Sequence, residues 1–286
     1  MQRCKKIKEL RAAIRVKRHA GQHIVFVPTM GNLHDGHISL VRKAREISDF
    51  VVVSIFVNPL QFGDNEDLHN YPRTLDEDQA KLQREGASVL FLPDVEEMYP
   101  GGQQDLTKVS VPKFNAMLCG VSRPVHFDGV TTVVNKLFNI VQPDSAVFGE
   151  KDFQQLFLIR KMVKDLSLPV EVIGAPIMRE KDGLAMSSRN NYLSDSERDI
   201  APALSRVLHE TRDRCAGKGS DLELLRQAEL QANTVLKEIG FDIDYVQIRD
   251  ANTLLAPSTD TQELVLLAAA NVGNTRLIDN MTFSAH

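Results

Sequence analysis

The chain has 286 residues, 43% hydrophobic and 25% charged, which is ordinary globular usage and excludes a mostly disordered polymer or a disulfide-stapled miniprotein. Its 34 Lys and Arg against 38 Asp and Glu give a net charge of −4, which argues against a general nucleic-acid-binding surface and leaves room for a local basic pocket. Cys4, Cys119 and Cys215 lie far apart and form no metal-type pair, the N-terminus lacks the apolar stretch of a signal peptide, and no run approaches the ~20 apolar residues of a membrane span. The expectation is a globular protein of the cytoplasm with free thiols.

In chain order, HIVFVPT (23–29) is rich in β-branched residues and predicts a strand. HISLVRKAREIS (37–48) follows with helical spacing at Ile38, Val41 and Ala44. FVVVSIFVN (50–58) is apolar without alternation, as in a strand covered on both faces. RTLDEDQAKLQREG (73–86) predicts a polar-faced helix ending at Gly86, and ASVLFLP (87–93) a third strand. GVTTVVNKLFNIVQ (129–142) puts Val130, Val133, Leu137 and Ile140 on one helical face. SAVFGEKD (145–152), FQQLFLIRKMVKDL (153–166) and PVEVIGAPI (169–177) add a strand, a helix and a strand. Repeated strand–helix units predict a doubly wound parallel sheet, an α/β Rossmann-like domain over residues 1–175.

Beyond Pro176 a polar, turn-rich tract leads into two helical patterns, 195–216 and 221–239, and then strands at 244–250, 263–272 and 275–280. These predict a second, smaller α+β domain over 176–286.

The stretch richest in chemistry is VPTMGNLHDGH (27–37). A strand ends, a loop follows, and His34-Asp35-Gly36-His37 opens a helix, where backbone N–H groups and the helix dipole suit phosphate. His34 and His37 are three apart and can reach one spot, while Gly36 lets a flat base approach the backbone. Taken alone, the stretch is equally compatible with a surface loop carrying incidental histidines. Zinc binding is disfavoured because no HExxH or third ligand cluster accompanies the pair, and Gly31 and Gly36 are spaced wrongly for GxGxxG.

With SIFVNPLQF (54–62), YPRTLDED (71–78), FGEKDFQQL (148–156), MSSRN (186–190), IRDA (248–251) and RLIDN (276–280), that stretch resembles the pantothenate synthetase (pantoate–β-alanine ligase) family of HxGH nucleotidyltransferases. The resemblance implies an ATP-dependent ligase that joins pantoate to β-alanine through a pantoyl adenylate, releasing pyrophosphate and then AMP. It implies triphosphate contacts at His34 and His37, with His37 giving a proton to the departing pyrophosphate. Met30, Gly31 and Gly36 match the ATP loop, Lys151 a phosphate-reaching lysine, and Gly149, Glu150 and Asp152 the nucleotide's surroundings, with Asp152 toward the ribose. Met178 and Met186 are implied at the nucleotide, and Ser187, Ser188 and Arg189 match the mobile loop that is lysine-rich in class I synthetases. Gln61 and Gln155 match the pantoate-binding glutamines, Asn58 orders their wall, and Arg123 and His126 lie toward the β-alanine entry. The resemblance also implies a homodimer, and the second domain is expected to close as a lid so that water is kept from the acyl adenylate.

Mg²⁺ is expected to ride chiefly on the nucleotide phosphates and water. No protein metal ligand is assigned, and the acidic run Asp76, Glu77, Asp78 is expected to be a solvated helix face. Two other readings compete. A nucleotidyltransferase acting on a phosphorylated small molecule would share the HxGH site but need a strongly basic acceptor pocket, against which the two glutamines argue. A nucleotide sensor without turnover would not need His34, His37, Lys151 and Arg189 together. A tRNA partner is disfavoured by the acidic net charge.

Overall fold

The computed structural model describes residues 1–63, 68 and 72–286. Tyr71, quoted in the motif at 71–78, lies outside the described residues. The chain divides into two compact units, Met1–Glu150 with Gln155–Pro176, and Lys151–Gln154 with Ile177–His286. Relative to a simple cut after residue 175, the segment Lys151–Gln154 is grouped with the second unit.

The elements run β1 (Gln2–Cys4), α1 (Ile7–His19), β2 (Ile24–Thr29), α2 (Asp35–Ile47), β3 (Phe50–Ile55), α3 (Leu75–Arg84) and β4 (Val89–Phe91). The short helices α4 (Val95–Met98), α5 (Pro112–Asn115) and α6 (Cys119–Ser122) follow, then α7 (His126–Val141), β5 (Ser145–Gly149), α8 (Phe153–Asp165) and β6 (Glu171–Ala175). The second unit carries α9 (Asp195–Ile200), α10 (Ala203–Cys215), α11 (Leu222–Ile239), β7 (Asp242–Asp250), β8 (Glu263–Val272) and β9 (Thr275–Ser284).

All pairings in the six-stranded sheet, ordered β1-β4-β3-β2-β5-β6, are parallel. The central strands β2 and β3 are covered on both faces, which explains their runs of apolar residues without alternation. Ile24, Phe26, Phe50 and Val52 join one core cluster with residues of α1, α7 and α8, whereas Val25, Val27, Val51 and Val53 join another with residues of α2 and Leu82 of α3. This period-two division of each strand is what makes the fold doubly wound. The second unit is the expected α+β body, an antiparallel meander β7-β8-β9 whose core is shared with α10 and α11.

Several elements depart from the sequence expectation, among them the short helices α4, α5 and α6, which carry no periodic signal. Strand β1 has only three residues, too few for a periodic signal. Helix α1 buries only Leu10 and Ile14, so its apolar stripe is hidden among lysines and arginines. The helical pattern over 195–216 splits into α9 and α10 around Ala201 and Pro202, and Pro202, which has no N–H, sits at the N-cap of α10.

In the second unit, the tract that carries the serine–arginine motif is anchored by an ion pair. Arg179 donates to both oxygens of Asp279 on β9, at 2.7 and 2.9 Å, and also to the Gly183 carbonyl and the Ser205 hydroxyl, both at 3.0 Å. The Asp279 side chain is 1% exposed. Removing one partner of such a pair leaves a poorly solvated charge. Asp279→Asn is expected to lower unfolding stability by about 3 kcal/mol, read as a shifted urea midpoint; an unchanged midpoint would show that the pair contributes nothing net.

Candidate active site

Strand order places the reversal of winding between β2 and β5: from β2 the chain proceeds outward through β3 and β4, and from β5 outward through β6. Open parallel sheets bind ligands beyond the carboxyl ends of strands at such a point. The loops leaving β2 and β3 hold Met30 to His34 and Asn58 to Gln61, and β5 ends at Gly149. Three segments of the sequence motifs thus meet one edge of one sheet.

The loop after β2 has an unusual backbone. Gly31 and Asn32 are both left-handed, with φ of +85° and +50°. A Cβ on Gly31 would stand 3.0 Å from Ile55 Cγ2 and 3.2 Å from Asp78 Oδ2, so glycine is required twice over. Its successive amides are engaged inside the protein. Gly31 N–H donates to Thr29 Oγ1 at 3.3 Å, and Asn32 and Leu33 N–H donate to the two oxygens of Asp78, each at 2.8 Å.

Helix α2 then begins with a capping box made of two histidines. His34 Nδ1 accepts from Gly36 N–H at 3.1 Å, and His37 Nδ1 accepts from His34 N–H at 3.4 Å. His37 and Ile38 N–H donate to the His34 carbonyl at 2.8 and 3.1 Å. The expectation that loop amides face outward toward phosphate is therefore corrected: the N–H groups of residues 31–34 and 36–38 all have protein acceptors. A ring nitrogen that accepts an N–H has no proton, so each neutral imidazole carries its proton on Nε2. The two rings lie with centroids 4.0 Å apart, tilted by 42° to one another.

Asp78 corrects a second expectation. Asp76 and Glu77 are exposed, as a solvated face requires, but Asp78 is 1% exposed and also accepts from Thr74 Oγ1 at 3.1 Å. The signal was present in the sequence, since Asp78 lies four residues before the fully buried Leu82 and shares its helix face.

The loop after β3 builds a wall of neutral amides. Asn58, 1% exposed, donates through Nδ2 to Gln61 Oε1 at 3.2 Å and to the Gly129 carbonyl at 3.1 Å. Its Oδ1 accepts from Tyr99 OH at 2.8 Å and Leu60 N–H at 3.3 Å. Asn58 is thus committed to holding its neighbours. Gln61 donates through Nε2 to Met30 Sδ at 2.8 Å, joining this wall to the histidine loop.

His126, at the start of α7, bonds through Nδ1 to the Gln61 carbonyl at 2.9 Å. A carbonyl only accepts, so Nδ1 carries the proton and Nε2 accepts from Arg123 Nη1, 3.1 Å away. Both residues back Gln61. Tyr99, which the sequence did not single out, has its phenol pushed up by burial and remains a neutral donor. Gln155 stands in the first turn of α8 and is partly buried.

In the second unit, Lys151 and Asp152 lie in a single 3₁₀ turn with Glu150, and Asp152 is exposed. Asn280 Nδ2 donates to the Lys151 carbonyl at 2.9 Å. Burial draws the Lys151 ammonium below the ordinary lysine range; Asp152 opposes that shift, Arg189 adds to it, and Asp279 opposes it. Ser187 caps the 3₁₀ turn Ser188–Tyr192, its Oγ accepting from Arg189 N–H at 3.2 Å, and Arg189 is exposed. Met178 is exposed and Met186 partly buried, with Met186 N–H bonded to the Met178 carbonyl at 2.9 Å.

Residues 2–282 match the family model described as pantoate-beta-alanine ligase. The pantothenate synthetase of Marinobacter nauticus is 58% identical over 278 residues, covering 97% of this chain and 98% of that protein. That of Pseudomonas savastanoi is 53% identical over 281 residues, covering 98% of each. A crystal structure of pantothenate synthetase from Thermus thermophilus superimposes with a TM-score of 0.90 at 46% identity, covering 98% of this chain and 99% of that one. Another, pantoate-beta-alanine ligase from Francisella tularensis complexed with beta-gamma ATP and beta-alanine, gives 0.78 at 34% identity, covering 98% and 97%.

Gly129 fixes how closely α7 approaches the amide wall. A Cβ there would stand 2.3 Å from the Leu60 carbonyl oxygen and 2.6 Å from Gln61 Cα. Gly129→Ala must displace this backbone, so a loss of about 1–3 kcal/mol is expected from overpacking. Urea unfolding checks it, and an unshifted midpoint would contradict the close approach.

Proposed function

The chain belongs to the pantoate–β-alanine ligase (pantothenate synthetase) family and joins pantoate to β-alanine at the expense of ATP; from this premise we propose how its residues divide the work. In the first half-reaction the pantoate carboxylate attacks the α-phosphorus of ATP. A new P–O bond forms, the bond to the bridging oxygen breaks, and pyrophosphate leaves. In the second, the β-alanine amine attacks the acyl carbon of pantoyl adenylate, loses a proton and expels AMP.

Neither step requires an enzyme nucleophile, because a carboxylate is already ionised at neutral pH. The barrier is electrostatic: an anion must be brought in line with a polyanion. Catalysis then rests on positioning and on donors aimed at the departing charge. His34 and His37 serve as Nε2–H donors to the triphosphate, and the capping box that engages both Nδ1 atoms carries this reading. Protonation at Nδ1 would place N–H against N–H and undo the cap. The capping bonds therefore support hydrogen-bond donation over transfer of a proton from His37 to pyrophosphate.

Lys151 and Arg189 supply positive charge to the phosphates, Ser187 and Ser188 add neutral donors, and Met30, Gly31, Gly36, Gly149, Glu150, Asp152, Met178 and Met186 surround the nucleotide. Gln61 and Gln155 bind pantoate, whose hydroxyls need groups that both donate and accept. Asn58, His126 and Arg123 hold Gln61 in place.

Mg²⁺ accompanies the nucleotide and supplies charge neutralisation of its phosphates. The donor set fits an ion carried by the substrate, since Asp78 gives both oxygens to backbone amides. The protein works as a homodimer in the cytoplasm, a setting in keeping with three buried free cysteines.

Pantoate-dependent ATP–pyrophosphate exchange without β-alanine isolates the first step and is expected to proceed. Exchange that proceeds with nicotinamide mononucleotide and not with pantoate would overturn the proposal. His37→Ala is expected to lower the exchange kcat by about two to three decades while the KM for ATP stays near that of the parent; an unchanged kcat would remove His37 from the mechanism. The depressed Lys151 ammonium sets a sign for pH. Its charge is lost as pH rises, so kcat/KM for ATP is expected to fall on an alkaline limb below the roughly 10.4 of an ordinary lysine. Lys151→Arg is expected to carry that limb upward, and a limb indifferent to this substitution would contradict the assignment.

A further inference from the structure

We propose that Asp78 and Lys81 of α3 are positioning residues that set the histidine loop in its reactive geometry. The inference rests on the reading of that loop as the triphosphate site. Three consecutive peptide groups are tied to this one helix. The amide at 31–32 donates its N–H to Asp78 Oδ2 and that at 32–33 to Asp78 Oδ1, each at 2.8 Å. The amide at 33–34 is held at its other pole, the Leu33 carbonyl accepting from Lys81 Nζ at 2.6 Å. The same peptide group gives its N–H, that of His34, to His37 Nδ1 at 3.4 Å.

A cation on the carbonyl oxygen polarises a peptide group and strengthens its N–H as a donor. Lys81 thereby favours the unprotonated Nδ1 of His37 through one peptide plane, without touching the ring. Asp78 performs the complementary task. Asn32 is held in left-handed backbone, which asparagine tolerates better than most residues with a side chain, and the N–H bonds of residues 32 and 33 to a buried carboxylate fix it there. Asp78 and Lys81 are three apart on α3, so both functions come from one helical face. Asn58, by contrast, holds Gln61 independently of α3.

Asp78→Asn replaces one acceptor oxygen with an NH₂ that meets a backbone N–H head-on. Lys81→Met keeps the aliphatic stem and removes the ammonium, and decides the matter should Asp78→Asn fail to fold. In pantoate-dependent ATP–pyrophosphate exchange, kcat is expected to fall about 10²-fold for Asp78→Asn, the scale of a small misplacement of catalytic groups. A fall of about tenfold is expected for Lys81→Met, the scale of one lost charged hydrogen bond. The KM for pantoate is expected to change little in either.

The deciding comparison is made in a His37→Ala background. Residues that act through His37 have little left to impair there, so Lys81→Met is expected to have almost no further effect and Asp78→Asn a much reduced one. Full multiplicative losses in that background, or parental kcat in both folded single variants, would overturn the inference while leaving the loop's role intact. Absence of exchange in the parent protein would instead overturn the reading of the loop, and this inference with it.

Discussion

Two histidine nitrogens that accept backbone N–H bonds at the start of α2 govern the chemistry available at this site. A helix N-terminus is ordinarily an anion site because its first amides lack partners. Here the amides of Gly36, His37 and Ile38 are satisfied from within, by His34 Nδ1 and the His34 carbonyl, and that of the N-cap residue His34 by His37 Nδ1. In the proposed assignment, the donor function passes to Nε2 of each ring. The helix dipole still favours negative charge at this end, but the groups that meet it are side chains whose protonation is tied to the cap. Loss of the capping geometry and loss of the donor tautomer are one event.

The same economy of charge marks the neighbouring wall. If this wall receives pantoate, as proposed, the substrate brings one carboxylate that must remain nucleophilic, and a strong cation beside it would quench what the reaction needs. Neutral amides avoid this. Gln61 is bonded to Asn58 through its side chain and to His126 through its carbonyl, and Tyr99, kept neutral by burial, locks Asn58 from behind. In the second unit, Lys151 and Arg189 carry positive charge. Asp279 serves both tasks there, anchoring Arg179 at the base of the serine–arginine tract and moderating the Lys151 shift.

Much of the fold was legible because burial on both faces of a parallel sheet leaves uninterrupted apolar runs, as at 50–55, and because α2, α7 and α8 repeat apolar residues at helical spacing. Helix α1 escaped notice because two buried residues among basic ones make too narrow a stripe. The site's residue types were legible from ordered motifs, and their division of labour was not. Sequence spacing shows that His34 and His37 share a face, but not which nitrogen of each ring is engaged. Asp78 looked solvated because its neighbours Asp76 and Glu77 are, and only the register against Leu82 distinguishes them. Tyr99 and Gly129 act from far along the chain, through contacts that no local pattern encodes.

The protonation pattern of the two rings can be observed directly. Nitrogen-15 NMR of the histidine side chains at neutral pH, assigned with His34→Gln and His37→Gln, distinguishes a protonated Nε2 from a protonated Nδ1. The account predicts Nε2–H and an unprotonated Nδ1 in both residues of the ligand-free protein. A proton on Nδ1 of either ring would contradict it, because that nitrogen could then no longer cap the helix.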